Sequence, residues 1–172
     1  MSIELRTNRL TLRPPIRADF DAFAAMWAEP GVNKYITGMP QTRADSLGRF
    51  QRVVGGWALS GFGFFSVFDR AGSYLGQTGL FEAIRDLGPT FDGLPEAGWV
   101  FSEAAAGQGY ATEATLAAHK WFDAQRFAQR SVCMIAPEHA VSIRVAAKCG
   151  YEAMEQGVYA GDPVLLMARA CA

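Results

Sequence analysis

Residues 96–114 read EAGWVFSEAAAGQGYATEA. The run Trp99, Val100, Phe101 is apolar and reads as a strand. After a short break come Gly107 and Gly109, which lack a Cβ and reach backbone angles that other residues avoid. A helix is expected to begin near Gly109 or Tyr110. Tyr110, Ala114, Ala117 and Trp121 then fall on one helical face, with Ala118 and Phe122 beside them. A glycine turn feeding a helix start leaves several N–H groups without internal partners. Those donors, at the positive end of the helix dipole, suit a phosphate.

By itself a G-x-G before a helix is more often a plain turn than a phosphate site. The chain lacks G-x-x-x-x-G-K-[ST], which excludes a Walker-type loop. It also lacks a G-x-G-x-x-G followed by a placed acid, which argues against a dinucleotide fold. What remains is a diphosphate site with no lysine and no metal.

Working outward, residues 4–13 alternate as a first strand ended by Pro14 and Pro15. Phe20, Phe23, Ala24 and Trp27 predict a helix to about Ala28, followed by a polar connection from Gly31 to Gln41. Thr42 and Asp45 have capping-box spacing, and Leu47, Phe50, Val53, Val54 and Trp57 are expected to line the buried side of the helix they start. Residues 62–68 and 74–83 read as a hairpin, the second strand interrupted by Gly76 and Gly79. Residues 86–95 are loop-like. Beyond the phosphate helix lie a strand at 131–136, a short helix through Val141, Val145, Ala146 and Cys149 stopped by Gly150, and strands at 151–159 and 164–170. The expected architecture is α/β, a mixed sheet of six to seven strands flanked by about four helices, in one domain spanning residues 1–172.

The net charge of −1 argues against general nucleic-acid or membrane-surface binding. The charge is uneven. Glu82, Asp86, Asp92, Glu96, Glu103 and Glu113 face a lone base, Arg85; farther on, Lys120, Arg126, Arg130, Arg144 and Lys148 face Asp123 and Glu138. These are either two solvated surfaces, or a cationic side for phosphates and an acidic side for an amine. Cys133, Cys149 and Cys171 show no metal-ligand spacing, and the first two sit in apolar runs as small core residues. No signal-peptide pattern or membrane-length apolar run is expected, so the expectation is a cytoplasmic, reduced protein.

The stretch from Gly107 to Ala114 resembles the acetyl-CoA pyrophosphate loop of the GNAT acyltransferase superfamily. Four further stretches resemble its ribosomal-protein N-terminal acetyltransferase branch, in the same order: TNRLTLRP at 7–14, LGQTGL at 75–80, EAGW at 96–99 and SIRVAAKCGY at 142–151. The resemblance implies a splayed sheet in which the central strand and the one after the phosphate helix part to hold the pantetheine arm. It implies acetyl-CoA as cosubstrate and an amine as acceptor, with no nucleic acid, membrane or metal, in a monomer or homodimer. Exposed aromatics such as Phe62, Phe64 or Phe91 would serve a dimer.

Several site residues follow from the resemblance. The N–H groups of Gly107, Gln108, Gly109, Tyr110, Ala111 and Thr112 would hold the pyrophosphate. The pantetheine amides would lie against Val100, Phe101 and Ser102, with an oxyanion donor near Trp99 or Val100. Glu96 is the candidate general base, its pKa raised by partial burial and acting through a water; the plainer reading is a solvated loop acid. Ser142 is the candidate proton donor to the departing thiolate, or else a first-turn serine satisfying the helix backbone. Tyr35 and Tyr159 would line the acceptor pocket, or simply pack.

The chain departs from the family at three positions. Ala106 replaces Gln or Arg beside the loop. His139 replaces an Asn that bonds the CoA arm; it would donate to the arm in its place, with a different reach and charge, or else titrate near neutral pH or be an exposed helix start. Ala146 replaces a tyrosine acid. His119 is expected to be structural or solvent-facing. Arg144 and Lys148, four apart, would approach the CoA phosphates or be solvated. The leading reading is N-acetyl transfer from acetyl-CoA by direct attack. The alternatives are an acyl-CoA-binding protein with little or no catalysis and an interaction domain that binds no CoA. Protein N-termini, lysine, a polyamine, an amino acid or an aminoglycoside all stay open as acceptor; the branch favours a protein N-terminus and the acidic middle a cationic amine.

Overall fold

The alternating apolar residues build one open sheet, in the order β1-β2-β3-β4-β5-β6-β8-β7, across residues 3–171 described by the computed structural model. The strands are β1 Leu5–Arg6, β2 Leu10–Arg13, β3 Phe64–Asp69, β4 Tyr74–Phe81, β5 Glu96–Phe101, β6 Arg130–Ile135, β7 Glu152–Tyr159 and β8 Asp162–Ala170. The helices are α1 Phe20–Trp27, α2 Pro30–Asn33, α3 Arg43–Ser60, α4 Tyr110–Gln125 and α5 Ala140–Lys148.

Two elements exceed the expected number. Residues 4–13 form a hairpin rather than one strand, with Leu5 opposite Leu12. Thr7 makes the turn: its N–H donates to Leu10 O at 3.0 Å and its hydroxyl accepts from Leu10 N–H at 3.0 Å. The connection before α3 also contains the short α2, started by Pro30 in its first turn.

Neighbouring strands pair antiparallel except β5 and β6, which run parallel. β6 pairs with β8 along its whole length, from Arg130 opposite Ala170 to Ile135 opposite Leu165. It meets β5 at one register position, Glu96 opposite Val132. Beyond that position no ladder joins the two strands among the described residues, so the sheet opens into a wedge toward Phe101 and Ile135.

Side chains alternate across β5. Ala97 and Trp99 pack with Phe122 of α4 and Val145 and Ala146 of α5, and Phe101 packs with Ala114 and Ala118 of α4. This is the back face. Val100 packs on the opposite, front face against Phe20, Phe23 and Phe50 of α1 and α3. The other half of the front is covered by Phe91, from the loop before β5, on Val132, Leu166 and Ala168. Phe62 and Phe91 are buried, so neither is an exposed dimer surface; Phe64 is half-buried and stacks on Phe81.

Thr42 caps α3 as expected, its hydroxyl accepting from Asp45 N–H at 3.2 Å while Asp45 accepts from Thr42 N–H at 3.2 Å. The inner face of α3 is turned relative to the expected one. It runs through Ser46, Phe50, Val53 and Trp57, which leaves Leu47 and Val54 exposed.

His119 is not solvent-facing. It is buried in α4, with Nδ1 2.7 Å from Thr115 O and Nε2 2.8 Å from Tyr151 Oη. Tyr151 Oη in turn lies 2.8 Å from Ser131 Oγ. The carbonyl can only accept, so Nδ1 carries the proton, Nε2 accepts from Tyr151, and Tyr151 accepts from Ser131. Burial pushes the His119 pKa down to about 4. The unfolded chain therefore binds a proton below pH 6.5 that the folded chain refuses until pH 4, and stability falls with pH across that window. From the shift, unfolding free energy drops by about 2 to 3 kcal/mol between roughly pH 7 and 4.5. Urea unfolding at the two pH values measures this, and His119→Gln flattens the dependence.

Candidate active site

The turn after β5 is a single 3-10 turn, Glu103–Ala105, followed by Gly107 and Gly109 in left-handed conformations, φ 74° and 77°. α4 starts at Tyr110 immediately behind them. Among the described residues the N–H groups of residues 107–112 find no acceptor, whereas Glu113 N–H bonds Gly109 O at 3.1 Å. The loop is fixed from outside. Arg9 donates from Nη1 to Gln108 O at 2.9 Å, stacks over the Tyr110 ring at 4.5 Å and pairs with Glu113 at 2.6 Å. Six donors thus crowd a helix start with the geometry of an anion cradle.

The β5 backbone aims at two different neighbours. Ser102 N–H donates to Leu75 O on the β4 side, at 2.9 Å, while Pro95 O accepts from Val132 N–H on the β6 side, also at 2.9 Å. Alternation then turns the N–H and C=O of Trp99 and Phe101 into the wedge and those of Val100 and Ser102 onto β4. Of the three residues expected against pantetheine amides, only Phe101 offers its backbone there. Of Trp99 and Val100, the two expected near the oxyanion, it is the Trp99 backbone that turns into the wedge.

Glu96 stands at the apex of the wedge on the front face. It is not a solvated loop acid; it is 4% exposed. Arg85 donates to both its oxygens, Nε at 2.8 Å and Nη2 at 3.0 Å. The third guanidinium nitrogen donates to Tyr159 Oη at 2.9 Å. Burial lifts the Glu96 pKa, the Arg85 pair pulls it back, and the net position is above an ordinary glutamate. Asp92 holds the loop carrying Arg85, accepting from the N–H groups of Arg85, Leu87 and Gly88 at 2.6, 2.7 and 2.9 Å.

Ser142 lies in the first turn of α5, on the back face, where Trp99 Nε1 donates to its hydroxyl at 2.7 Å. The Trp99 side chain therefore does more than pack. The Ser142 O–H has no acceptor among the described residues. Glu96 and Ser142 face the wedge from opposite sides of the sheet. Tyr159 joins Glu96 through Arg85. Tyr35 does not join them: it stacks on His139, ring centroids 4.3 Å apart. His139 sits half-buried just before α5 and makes no side-chain capping bond, and burial, with Lys34 next, lowers its pKa below the ordinary histidine value. The segment carrying Tyr35 spans the open end of the wedge. At its start Gly31 N–H bonds Glu103 and Glu29 accepts from Glu103 N–H, both at 2.6 Å.

Arg85 belongs to no motif in the sequence; its signal there is its place as the single base in an acidic run. In that run Asp86 is exposed and makes no ion pair or side-chain hydrogen bond among the described residues, while the other five acids are engaged. Glu82 accepts from Ser60, Asp92 and Glu103 accept from backbone, and Glu96 and Glu113 pair with Arg85 and Arg9. Burial raises the Cys133 thiol and lifts Cys149 to about 11, so neither supplies a thiolate near neutral pH. Among the described residues no cluster of three His, Cys, Asp or Glu suits a metal ion, and no helix is long and apolar enough to cross a membrane.

A family model, the acetyltransferase (GNAT) domain, matches residues 9–152. A solved structure assigned to the GnaT family of acetyltransferases, from Bordetella pertussis, superposes with a TM-score of 0.87 at 31% identity, covering 98% of this chain and 99% of that one. One assigned as a ribosomal-protein-serine acetyltransferase from Vibrio cholerae gives 0.72 at 18% identity, over 99% of each chain. AAC(6')-Ib in complex with parmomycin and acetyl-CoA gives 0.78 at 16% identity, over 95% of this chain and 94% of that one. The last two likenesses concern the fold.

Proposed function

The chain belongs to the acetyltransferase (GNAT) family, and from that premise we propose that it moves an acetyl group from acetyl-CoA to a primary amine by direct attack. The observation that carries this is the wedge itself: one end meets a cradle of six unbonded N–H groups, and its apex holds a buried carboxylate. The pyrophosphate of CoA sits on residues 107–112 and the pantetheine arm enters between β5 and β6. Its amides meet the backbone of Phe101, and the Trp99 N–H receives the oxyanion.

The acceptor approaches from the front. Glu96 has four lone-pair positions, of which Arg85 occupies two, so a water can still bridge it to the ammonium. Its raised pKa suits a general base. The freed amine attacks the carbonyl carbon; as the tetrahedral intermediate collapses the C–S bond breaks, the nitrogen gives up its second proton to solvent, and the thiolate leaves on the back side, where the Ser142 O–H donates a hydrogen bond to it. Serine is a weak acid, so its share is a hydrogen bond. Ser142→Ala lowers kcat by about tenfold with little change in KM, measured by thiol release.

One observation favours the binding-protein alternative: Arg85 engages both Glu96 oxygens. A thiol-release assay with acetyl-CoA and a panel of primary amines decides between them. Amine-dependent release supports transfer; tight acetyl-CoA binding without release by any amine supports the alternative.

A further inference from the structure

α3 turns an unexpected face inward, and where that face meets the end of α1 polar atoms lack partners. Trp27 Nε1, Ser46 Oγ and Arg49 Nε are all buried with no hydrogen-bond partner among the described residues. Trp27 is 1% exposed and Ser46 is fully buried. Ser46 and Arg49 stand one turn apart on α3, and the Arg49 guanidinium lies 4.0 Å above the Trp27 ring. Arg49 forms no ion pair among the described residues, and neither does Arg52, the next cation along the helix. The groups that bear on Arg49 are cationic: burial first, then Arg52 and Arg85, lower its pKa.

Arg85 is the residue that holds Glu96, and α3 packs on the same front face of β5 through Val100. The acceptor side thus presents the Glu96 carboxylate, committed to Arg85, and an unpaired guanidinium with further unsatisfied polar atoms behind it. A half-buried cation without a counter-ion is costly, and a guanidinium fork matches a planar carboxylate. We propose that the acceptor carries a carboxylate beside its amine, as an amino acid does, and that Arg49 holds this carboxylate while the amine faces Glu96. The assignment rests on the acetyltransferase reading for the amine's fate. It sets aside polyamines and aminoglycosides, which lack the anion.

The test is calorimetry on the full chain saturated with CoA, titrated with free amino acids and with their carboxamides. Amino acids bind, and each carboxamide binds about 30-fold more weakly, the size of a charge-assisted pair. Arg49→Met keeps an apolar stem over Trp27 and removes this preference. Arg49→Lys keeps the charge without the fork and loses most of it. Equal binding of acid and amide, no binding of either, or an unchanged preference in Arg49→Met overturns the proposal; if the Met variant does not fold, an unchanged preference in Arg49→Lys overturns it instead. The acetyltransferase reading fails separately. Arg49-dependent binding of amino acids with no thiol release leaves the carboxylate site and removes the transfer, whereas release with carboxylate-free amines at equal kcat/KM does the reverse.

Discussion

Glu96→Gln lowers kcat for amine acetylation by about 10²- to 10³-fold at neutral pH, the usual share of a general base. The amide keeps the shape of the side chain but cannot take the proton. The wild-type profile of kcat/KM against pH has an acid limb above the ordinary glutamate range, because burial outweighs the Arg85 pair and holds Glu96 protonated longer. The variant loses that limb. Arg85→Met tests the same balance from the other partner. It removes the cause that pulls Glu96 down, so the limb moves to higher pH and activity near neutral pH drops. Both substitutions break a buried ion pair and cost about 3 kcal/mol of stability, so folding is checked by circular dichroism in each case. Retention of the wild-type rate and acid limb in Glu96→Gln would remove the assignment of Glu96 as the base.

Gly109→Val raises the Kd for acetyl-CoA by at least about 100-fold, or roughly 3 kcal/mol. Gly109 sits at φ 77°, where a β-branched residue is strained by about 1 to 2 kcal/mol. The remainder comes from the backbone path: both glycines hold the left-handed turn that leaves the six N–H groups unbonded among the described residues, and a valine that leaves this conformation moves them. Space is not the obstacle, since a Cβ at Gly109 would come no nearer than 3.6 Å to Arg9 Nη2. The fold survives, because the loop is exposed and α4 is held by its own apolar face against β4 and β5. Isothermal titration reads the affinity. Unchanged affinity would separate the glycine loop from phosphate binding.

Much of the frame is legible in the sequence because its causes are local. The left-handed glycines, the stripe Tyr110–Ala114–Ala117–Trp121 with Ala118 and Phe122 beside it, and the Thr42–Asp45 cap are each written within a few residues. The splayed sheet is legible only through the family resemblance. What stays hidden depends on partners far along the chain. In the sequence Glu96 stays open between a partly buried base and a solvated loop acid until Arg85 and the loop bearing Phe91 fold over it. His119 shows no partner until Tyr151 and Ser131 arrive from other elements. The split of residues 4–13 depends on one side chain, Thr7, whose hydroxyl also reaches Glu113 at 2.6 Å. The turned face of α3 is illegible because Leu47 and Val54 are as apolar as the residues that are buried; only tertiary packing prefers Ser46 and Arg49.

Acetyl-CoA is the ligand on which every proposed role depends, and a calorimetric titration of the full chain with acetyl-CoA, CoA and ATP tests its binding most directly. The expected result is one site with micromolar affinity for acetyl-CoA and CoA and none for ATP, because the wedge takes a pantetheine arm that ATP lacks. Absence of binding at millimolar acetyl-CoA, or equal binding of ATP, would contradict it.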